Sequence, residues 1–358
     1  MSGADTRRPT IADVATKAGV SVATVSNVLN DRGRVSEEGR GRVLRAAESI
    51  SFRPNRLARG LRAGRTRVLG LLLGNIANPF YTEIAAGVVD GAARLGYQVF
   101  VSHTASDPET QRREAQALRD HRCDGLIFTA VTEADRALLD ELIRYRTPIV
   151  QVERWVPGLR ADHVGIDNRA AGREVTAHLA ALGHTEIAVI AGPEASMASR
   201  ERYRGFREGI RDAGLSLRRT HVHVSELTRE GGYRAAEHLL AVRPRPTVVA
   251  CGNDMIALGA IDAIIDRGLR IPAEVGVAGF DDMPFASSRL LDLTTVRQPL
   301  QRLGSTAVET LLSRLEHPTR APVRIILPHE LIVRGSCGAA ATAARTSGPP
   351  GARAAAPR

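Results

Sequence analysis

Several polar groups of this 358-residue chain cluster where short extended runs end: Asn78 in NPFY, Asp167-Asn168, Asn253-Asp254 and Asp281-Asp282. Carboxamides and carboxylates at strand ends offer a mixed set of donors and acceptors, which suits capture of a small ligand. No Gly-rich dinucleotide or phosphate loop follows a strand, and neither a nucleophile elbow nor HExxH occurs. The acids are scattered, with no paired general acid and base, so the residues argue against an enzyme. Cys123, Cys251 and Cys337 are far apart and no His/Cys cluster has metal-ligand spacing, so reduced thiols are expected and no metal or cofactor.

A second set lies near the N-terminus. Presented from the start of one helix, Val22, Ala23, Ser26 and Asn27 match base edges in a DNA major groove. Asn27 can pair bidentately with adenine, Val22 and Ala23 can touch a thymine methyl, and Ser26 can serve a base or a phosphate. Thr24, Asn30, Arg32 and Arg34 are placed for phosphate, where contacts position rather than specify.

The elements that must hold this second set follow from spacing. Thr10-Ile11-Ala12-Asp13 is a capping box that starts a helix from Ile11 to Ala18, with Val14 and Ala18 inward and Ala15 small enough for a close crossing. Gly19 ends it where a left-handed residue is wanted. Ser21 caps a second helix, whose Val25 and Val28 share the inner face. A third helix is expected from Ser36 to about Ser51, although Gly39 and Gly41 each cost about 1 kcal/mol relative to alanine. Helix, glycine turn, helix is the helix-turn-helix order. The same pattern fits an αα-hairpin of a larger core, and charge separates the two readings. Residues 1–67 carry 14 Lys/Arg against 6 Asp/Glu, whereas residues 68–335 carry 32 against 33. Genomic arginine bias would charge the body as well, so a basic head on a balanced body points to nucleic acid.

Residues 52–67 contain FRPNRLARGLRAGRT. Pro54 blocks helix continuation, and Asn55 can cap a short segment from Arg56 to Ala63. An Arg-rich, glycine-interrupted helix of that length is not stable alone. It is either a solvated linker or a hinge that folds on DNA and presses Leu61 into a minor-groove step.

From Val68 the chain alternates. Strands are expected at Val68–Leu73, Gln98–Ser102, Gly125–Thr129, Ile149–Val152, Ile187–Ala191, Val222–Val224, Thr247–Cys251 and Gly276–Phe280. Amphipathic stretches such as Thr82–Leu95, Asn168–Leu182 and Ser199–Ala213 lie between them. This alternation predicts an α/β fold of parallel sheets with helices on both faces. The expected divisions are a DNA-binding head at 1–51, a hinge at 52–67, a ligand-binding body at 68–335 and a disordered, low-complexity tail at 336–358. No run spans a bilayer and the N-terminus has no apolar signal core, so the expected location is the cytoplasm.

TIADVATKAGVSVATVSNVLN, RVS and FRPNRLARGLRAGRT resemble the head and hinge of the LacI/GalR family of bacterial transcriptional regulators. NPFYTEI, DGLIF, GIDN, LGHTEIAVIAGP, SRERYRGF, CGNDMIALGA, GVAGFDD and LTTVRQP extend the resemblance to about residue 335. It implies a three-helix helix-turn-helix head and a two-lobed, doubly wound effector domain similar to periplasmic sugar-binding proteins. The chain would cross between lobes three times, with residues near 298–328 back in the first lobe. The resemblance implies a homodimer on a pseudo-palindromic double-stranded operator, with no membrane partner. Two hinge helices then insert a leucine pair, and Leu61 matches that leucine, although Gly60 departs from the commoner serine or glutamine. With Thr10, Ser21 and Asn55, these residues complete the candidate DNA-binding set. Effector contacts carry over to Phe80, Tyr81, Asp167, Arg202, Asn253 and Asp281. Ser196, Ala198 and Leu227 stand where the purine-binding branch has larger or polar groups, which favours a sugar over a purine. Each of these residues also has a structural reading: Asp281 capping a helix, Asn253 holding a turn. The tail lacks the leucine heptad of a tetramer-forming coiled coil. Whether effector releases or strengthens DNA binding is left open.

Overall fold

The computed structural model describes residues 9–29, 33, 35–52 and 65–338. The chain forms two compact units, Met1–Thr66 and Arg67–Arg358. Asn30, Arg34, Asn55 and Leu61 lie outside the described residues, as does most of the hinge.

The first unit contains α1 (Ile11–Ala18), α2 (Val22–Leu29) and α3 (Glu37–Ser49). The capping box forms in full: Thr10 N–H donates to Asp13 Oδ2 at 2.7 Å, and Asp13 N–H donates to Thr10 Oγ1 at 3.4 Å. Gly19 takes the left-handed conformation at φ 64°. Ser21 Oγ accepts from Thr24 N–H at 3.1 Å, and Ser36 Oγ accepts from Gly39 N–H at 3.2 Å. Val14, Ala15, Ala18, Val25, Val28, Val43, Ala46 and Ala47 make the core. So small a core has little redundancy. Val14→Ala should destabilise this unit by about 2 kcal/mol, about 30-fold in amide protection across α1–α3. Unchanged exchange would show that Val14 carries no such share.

The second unit begins with β1 (Val68–Leu73), α4 (Pro79–Arg94), β2 (Gln98–His103), α5 (Pro108–Asp120), β3 (Gly125–Phe128), α6 (Arg136–Arg144), β4 (Ile149–Val152) and β5 (Asp162–Ile166). It continues through α7 (Asn168–Ala181), β6 (Ile187–Ala191), α8 (Met197–Asp212), β7 (Val222–Val224), α9 (Arg229–Ala241), β8 (Val248–Cys251), α10 (Asp254–Asp266) and β9 (Gly276–Ala278). It closes with β10 (Thr295–Arg297), α11 (Leu300–Glu316), β11 (Arg324–Leu327) and β12 (Glu330–Ile332). Two parallel sheets result, ordered β11-β5-β4-β3-β1-β2 and β7-β6-β8-β9. An antiparallel pair, β10 with β12, joins the chain's later crossings. As expected, α11 and β11 belong to the first lobe: Leu303, Ala307, Val308, Leu311 and Leu327 share a core with Leu69, Ile127 and Val164.

Two expectations are corrected. The strand expected to run from Gly276 to Phe280 stops at Ala278, and Asp281 takes φ 126° beyond it. The tail does not begin at 336. Ser336 and Cys337 are buried in a single turn, where Ser336 Oγ donates to the Val277 carbonyl and accepts from Thr294 N–H. These bonds hold the chain to β9 as far as Gly338; residues 339–358 lie outside the described ones. Cys251 and Cys337 are buried, and burial pushes the Cys123 thiol up to about 11. No described helix is long and apolar enough to cross a membrane.

Candidate functional site

On α2 the inner face is filled by Val25 and Val28, which leaves Val22, Ala23 and Asn27 exposed and Ser26 half-buried. Val22 is 47% exposed, an apolar β-branched side chain with no core to fill. Thr24 and Ser21 share a hydroxyl hydrogen bond of 2.9 Å at the helix start. The four residues proposed for base edges therefore lie together on the outward side of one helix. Thr10 is exposed at the start of α1.

In the second unit the polar groups converge on Arg202, in the second turn of α8. Its three guanidinium nitrogens all meet protein acceptors. Nε donates to Asn168 Oδ1 at 3.1 Å, Nη2 to Asn168 Oδ1 at 2.7 Å and to Glu153 Oε1 at 3.2 Å, and Nη1 to the Gly252 carbonyl. Asp281 Oδ1 lies 3.8 Å from Nη1, and the Phe280 ring covers one guanidinium face at 3.5 Å. Asn168 Nδ2 also donates to Glu153 Oε1 at 2.9 Å, and Gln298 Nε2 donates to Asp281 Oδ1 at 2.7 Å. Glu153 follows β4, Asn168 follows β5, Gly252 and Asn253 follow β8, Phe280 and Asp281 follow β9, and Gln298 follows β10. All stand at carboxyl ends of strands, where open α/β sheets bind ligands.

Burial raises the Glu153 carboxyl above the ordinary range, with Arg202 pulling the other way. Burial holds the Asp281 carboxyl well above it, again against Arg202. Asp254 is fully buried and pushed up to about 6 by burial, while Thr295 Oγ1 and Met283 N–H donate to it. Glu153 and Asp281 sit at φ 62° and 126°, left-handed for residues with a Cβ. Such strain costs of order 1–3 kcal/mol each and persists where the surroundings over-determine it.

Of the six predicted effector residues, the structure brings Arg202 and Asp281 together. Asn253 is buried next to the Gly252 carbonyl and caps α10, accepting from Ile256 N–H at 2.8 Å. Asp281 does not cap a helix. Asp167 is exposed and caps α7, accepting from Ala170 N–H at 2.9 Å, and the neighbouring Asn168 faces Arg202 instead. Phe80 and Tyr81 are buried edge to face in the core of the first lobe, ring centroids 5.2 Å apart, and no polar contact of Arg202 reaches them. Ser196 caps α8 at its N-terminus. The sequence reading missed Glu153 and Gln298. Glu153 carries the signal used elsewhere, a polar residue directly after an apolar strand.

His163 backs this cluster, its Nε2 3.2 Å from the Glu153 carbonyl and its ring 4.9 Å from Trp155. Burial depresses it from 6.5 to about 4. Between those values the unfolded chain binds more protons than the folded one. Its contribution is therefore whole above about 6.5 and lost as pH falls towards 4, up to about 3 kcal/mol. Denaturation at a pH series should show wild type losing more stability over that window than His163→Asn. Asp254 acts in the opposite sense in both chains and drops out of the difference. Parallel curves would refute this role.

An outward-facing helix-turn-helix and a two-lobed body with a buried polar cluster at its strand ends define a ligand-responsive DNA-binding regulator. Residues 10–55 match the family described as bacterial regulatory proteins, lacI family, and residues 66–335 match periplasmic binding proteins and sugar binding domain of LacI family. The chain belongs to the LacI family of bacterial transcriptional regulators. It is 34% identical over 328 residues to the ribose operon repressor of Escherichia coli (strain K12), covering 91% of this chain and 99% of that protein. Among solved structures, a lac repressor dimer bound to operator and the anti-inducer ONPF superposes with a TM-score of 0.84 at 28% identity, covering 92% and 99% of the two chains. A complex of the transcriptional regulator CelR with cellobiose gives a TM-score of 0.71 at 32% identity, covering 92% and 100%. These relatives are regulators, and the chain is one too, a DNA-binding protein with a small-molecule effector domain and not an enzyme.

Proposed function

We propose that the chain acts in the cytoplasm as a homodimeric repressor whose affinity for a pseudo-palindromic operator is set by a sugar or sugar derivative. The observation that carries the reading is the buried Arg202 cluster at the strand ends of a body whose separate, basic head turns an unfilled helix face outward. Val22, Ala23, Ser26 and Asn27 read base edges, while Thr10, Ser21, Thr24, Asn30, Arg34 and Asn55 hold phosphates or the helices that reach them. Residues 52–67 form the hinge, with Leu61 as its wedge. Arg202, Asp281 and Asn253 hold the effector with Phe80, Tyr81 and Asp167. Relatives named for ribose and complexed with cellobiose support a sugar, and a relative's dimer on operator supports the assembly. The effector and operator sites are coupled reciprocally, by about 1–3 kcal/mol.

The test is fluorescence anisotropy with DNA from the protein's own promoter region, over a salt series, with and without sugars. Tight, sequence-selective binding with a steep salt slope, altered by one sugar, is the expected result. Weak, sequence-blind binding would remove the head from this role.

A further inference from the structure

We infer that the effector is an uncharged, hydroxyl-rich molecule, and that the site refuses phosphorylated or carboxylated forms of the same sugar. The inference rests on the proposed function and deepens it by fixing the charge of the ligand.

Its ground is a count of what the cluster still has to offer. Arg202 is the cation at its centre, 6% exposed, yet each guanidinium nitrogen already meets Asn168, Glu153 or the Gly252 carbonyl, and Phe280 closes one face. An anion would have to displace these acceptors to reach it. Three carboxylates share the neighbourhood, Glu153, Asp254 and Asp281, each at most 5% exposed. Two side-chain oxygens here are buried without a hydrogen bond of normal geometry, Glu153 Oε2 and Gln298 Oε1, although the Ile166 N–H lies close enough to act on the Glu153 carboxyl. Both are acceptors. An unpaired buried acceptor is costly, and a ligand that supplies O–H donors removes the cost, whereas a phosphate or carboxylate brings only more acceptors and more negative charge. Burial raises Glu153 and Asp281, and Arg202 pulls both the other way, so Arg202 is already engaged in offsetting the carboxyls present. A cavity of about 360 Å³ against Asp281 and Gln298 has the same balance, Glu83, Asp281 and Asp282 against Arg297 and Arg302. Arg297 there is paired with Asp282 at 2.8 Å and Glu330 at 3.2 Å. Arg154, half-buried, is the other cation that Glu153 feels, more weakly than Arg202.

Matched pairs test this on the full chain: D-ribose with D-ribose 5-phosphate, D-glucose with glucose 6-phosphate, and D-galactose with D-galacturonate. Operator affinity and calorimetric binding are read together. The uncharged member that binds is expected to bind at least about 100-fold more tightly than its anionic partner, the sum of a lost charge-assisted bond and added repulsion. Glu153→Gln should weaken the uncharged sugar about tenfold and narrow the gap to its anionic partner. Inorganic phosphate is a probe that needs no knowledge of the sugar, and it is expected to leave the thermal midpoint unchanged. An anionic sugar that equals or exceeds its neutral partner would overturn the inference while leaving the sugar-controlled regulator intact. Stabilisation by phosphate that disappears in Arg154→Gln would overturn it as well. An uncharged nucleoside that shifts operator binding where no sugar does would uphold the charge inference and remove the sugar.

Discussion

Asp162→Ala is expected to lower the stability of the body by about 3–5 kcal/mol, a fall of about 10 °C in its thermal midpoint. Asp162 is the first residue of β5 and is fully buried. It accepts from Arg314 Nε and Nη2 at 3.0 and 2.8 Å, from Arg320 Nη1 and Nη2 at 3.1 and 2.8 Å, and from Val323 N–H at 2.8 Å. One carboxylate thus ties the end of α11 and the start of β11, the segment that returns from the second lobe, to the sheet it rejoins. Without it two guanidinium groups, 14% and 20% exposed, face each other uncompensated. Removing one partner of a buried ionic group is costly because the other charges stay behind. Asp162→Asn keeps an acceptor and should lose less. A loss below about 1 kcal/mol for alanine would mean that the arginines reach water in the folded chain, and the carboxylate would then not be the tie.

That trio also explains why β5 was invisible in the sequence. DHVGI reads as polar, yet every one of its residues is buried, because the partners of Asp162 lie 152 and 158 residues away. Apolar runs such as Val68–Leu73 and Ile187–Ala191 were legible to the residue, since a central parallel strand needs only its own side chains to declare it. The three-residue β10 and β12 pair with each other across the later crossings, and no local pattern marks them. The helix pairs hid their reason too. Gly87 meets Gln301 and Gly304 meets Ile84, Gly172 meets Arg202 and Gly205 meets Arg169, Gly232 meets Ile256 and Gly259 meets Arg229. In each case a Cβ would run into the partner helix's backbone carbonyl, so these glycines set how closely α4 and α11, α7 and α8, and α9 and α10 approach. At the site, Arg202 and Asp281 were legible through their motifs. Asp167 and Asn168 were distinguished only by geometry: the carboxylate caps the helix, and the carboxamide, one residue on, turns to Arg202.

Arg202→Ala is expected to abolish the response of operator binding to effector, with effector affinity falling at least about 100-fold. The geometry assigns the loss to two causes. The substitution removes the group that fixes Glu153, Asn168 and the Gly252 carbonyl in one arrangement, so the acceptors a ligand would meet lose their positions. It also leaves Glu153 and Asp281 buried without their cation, which should cost the body about 3–5 kcal/mol. That cost carries a sign with pH. Arg202 lowers both carboxyls from where burial alone would put them, so both rise further in the variant. A carboxyl whose folded pKa is raised holds more protons folded than unfolded, and stability then falls as pH rises through that interval. The variant should therefore be closest to wild type in mild acid and furthest from it near neutrality. Arg202→Lys keeps the charge but loses the fork that reaches Asn168 and Glu153 together. It should recover much of the stability and little of the response. Anisotropy with and without the sugar that acts on wild type, beside denaturation at two pH values, separates the two effects. A lysine variant that responds as wild type would reduce Arg202 to a buried counter-ion, and an alanine variant that responds normally would take it out of the site altogether.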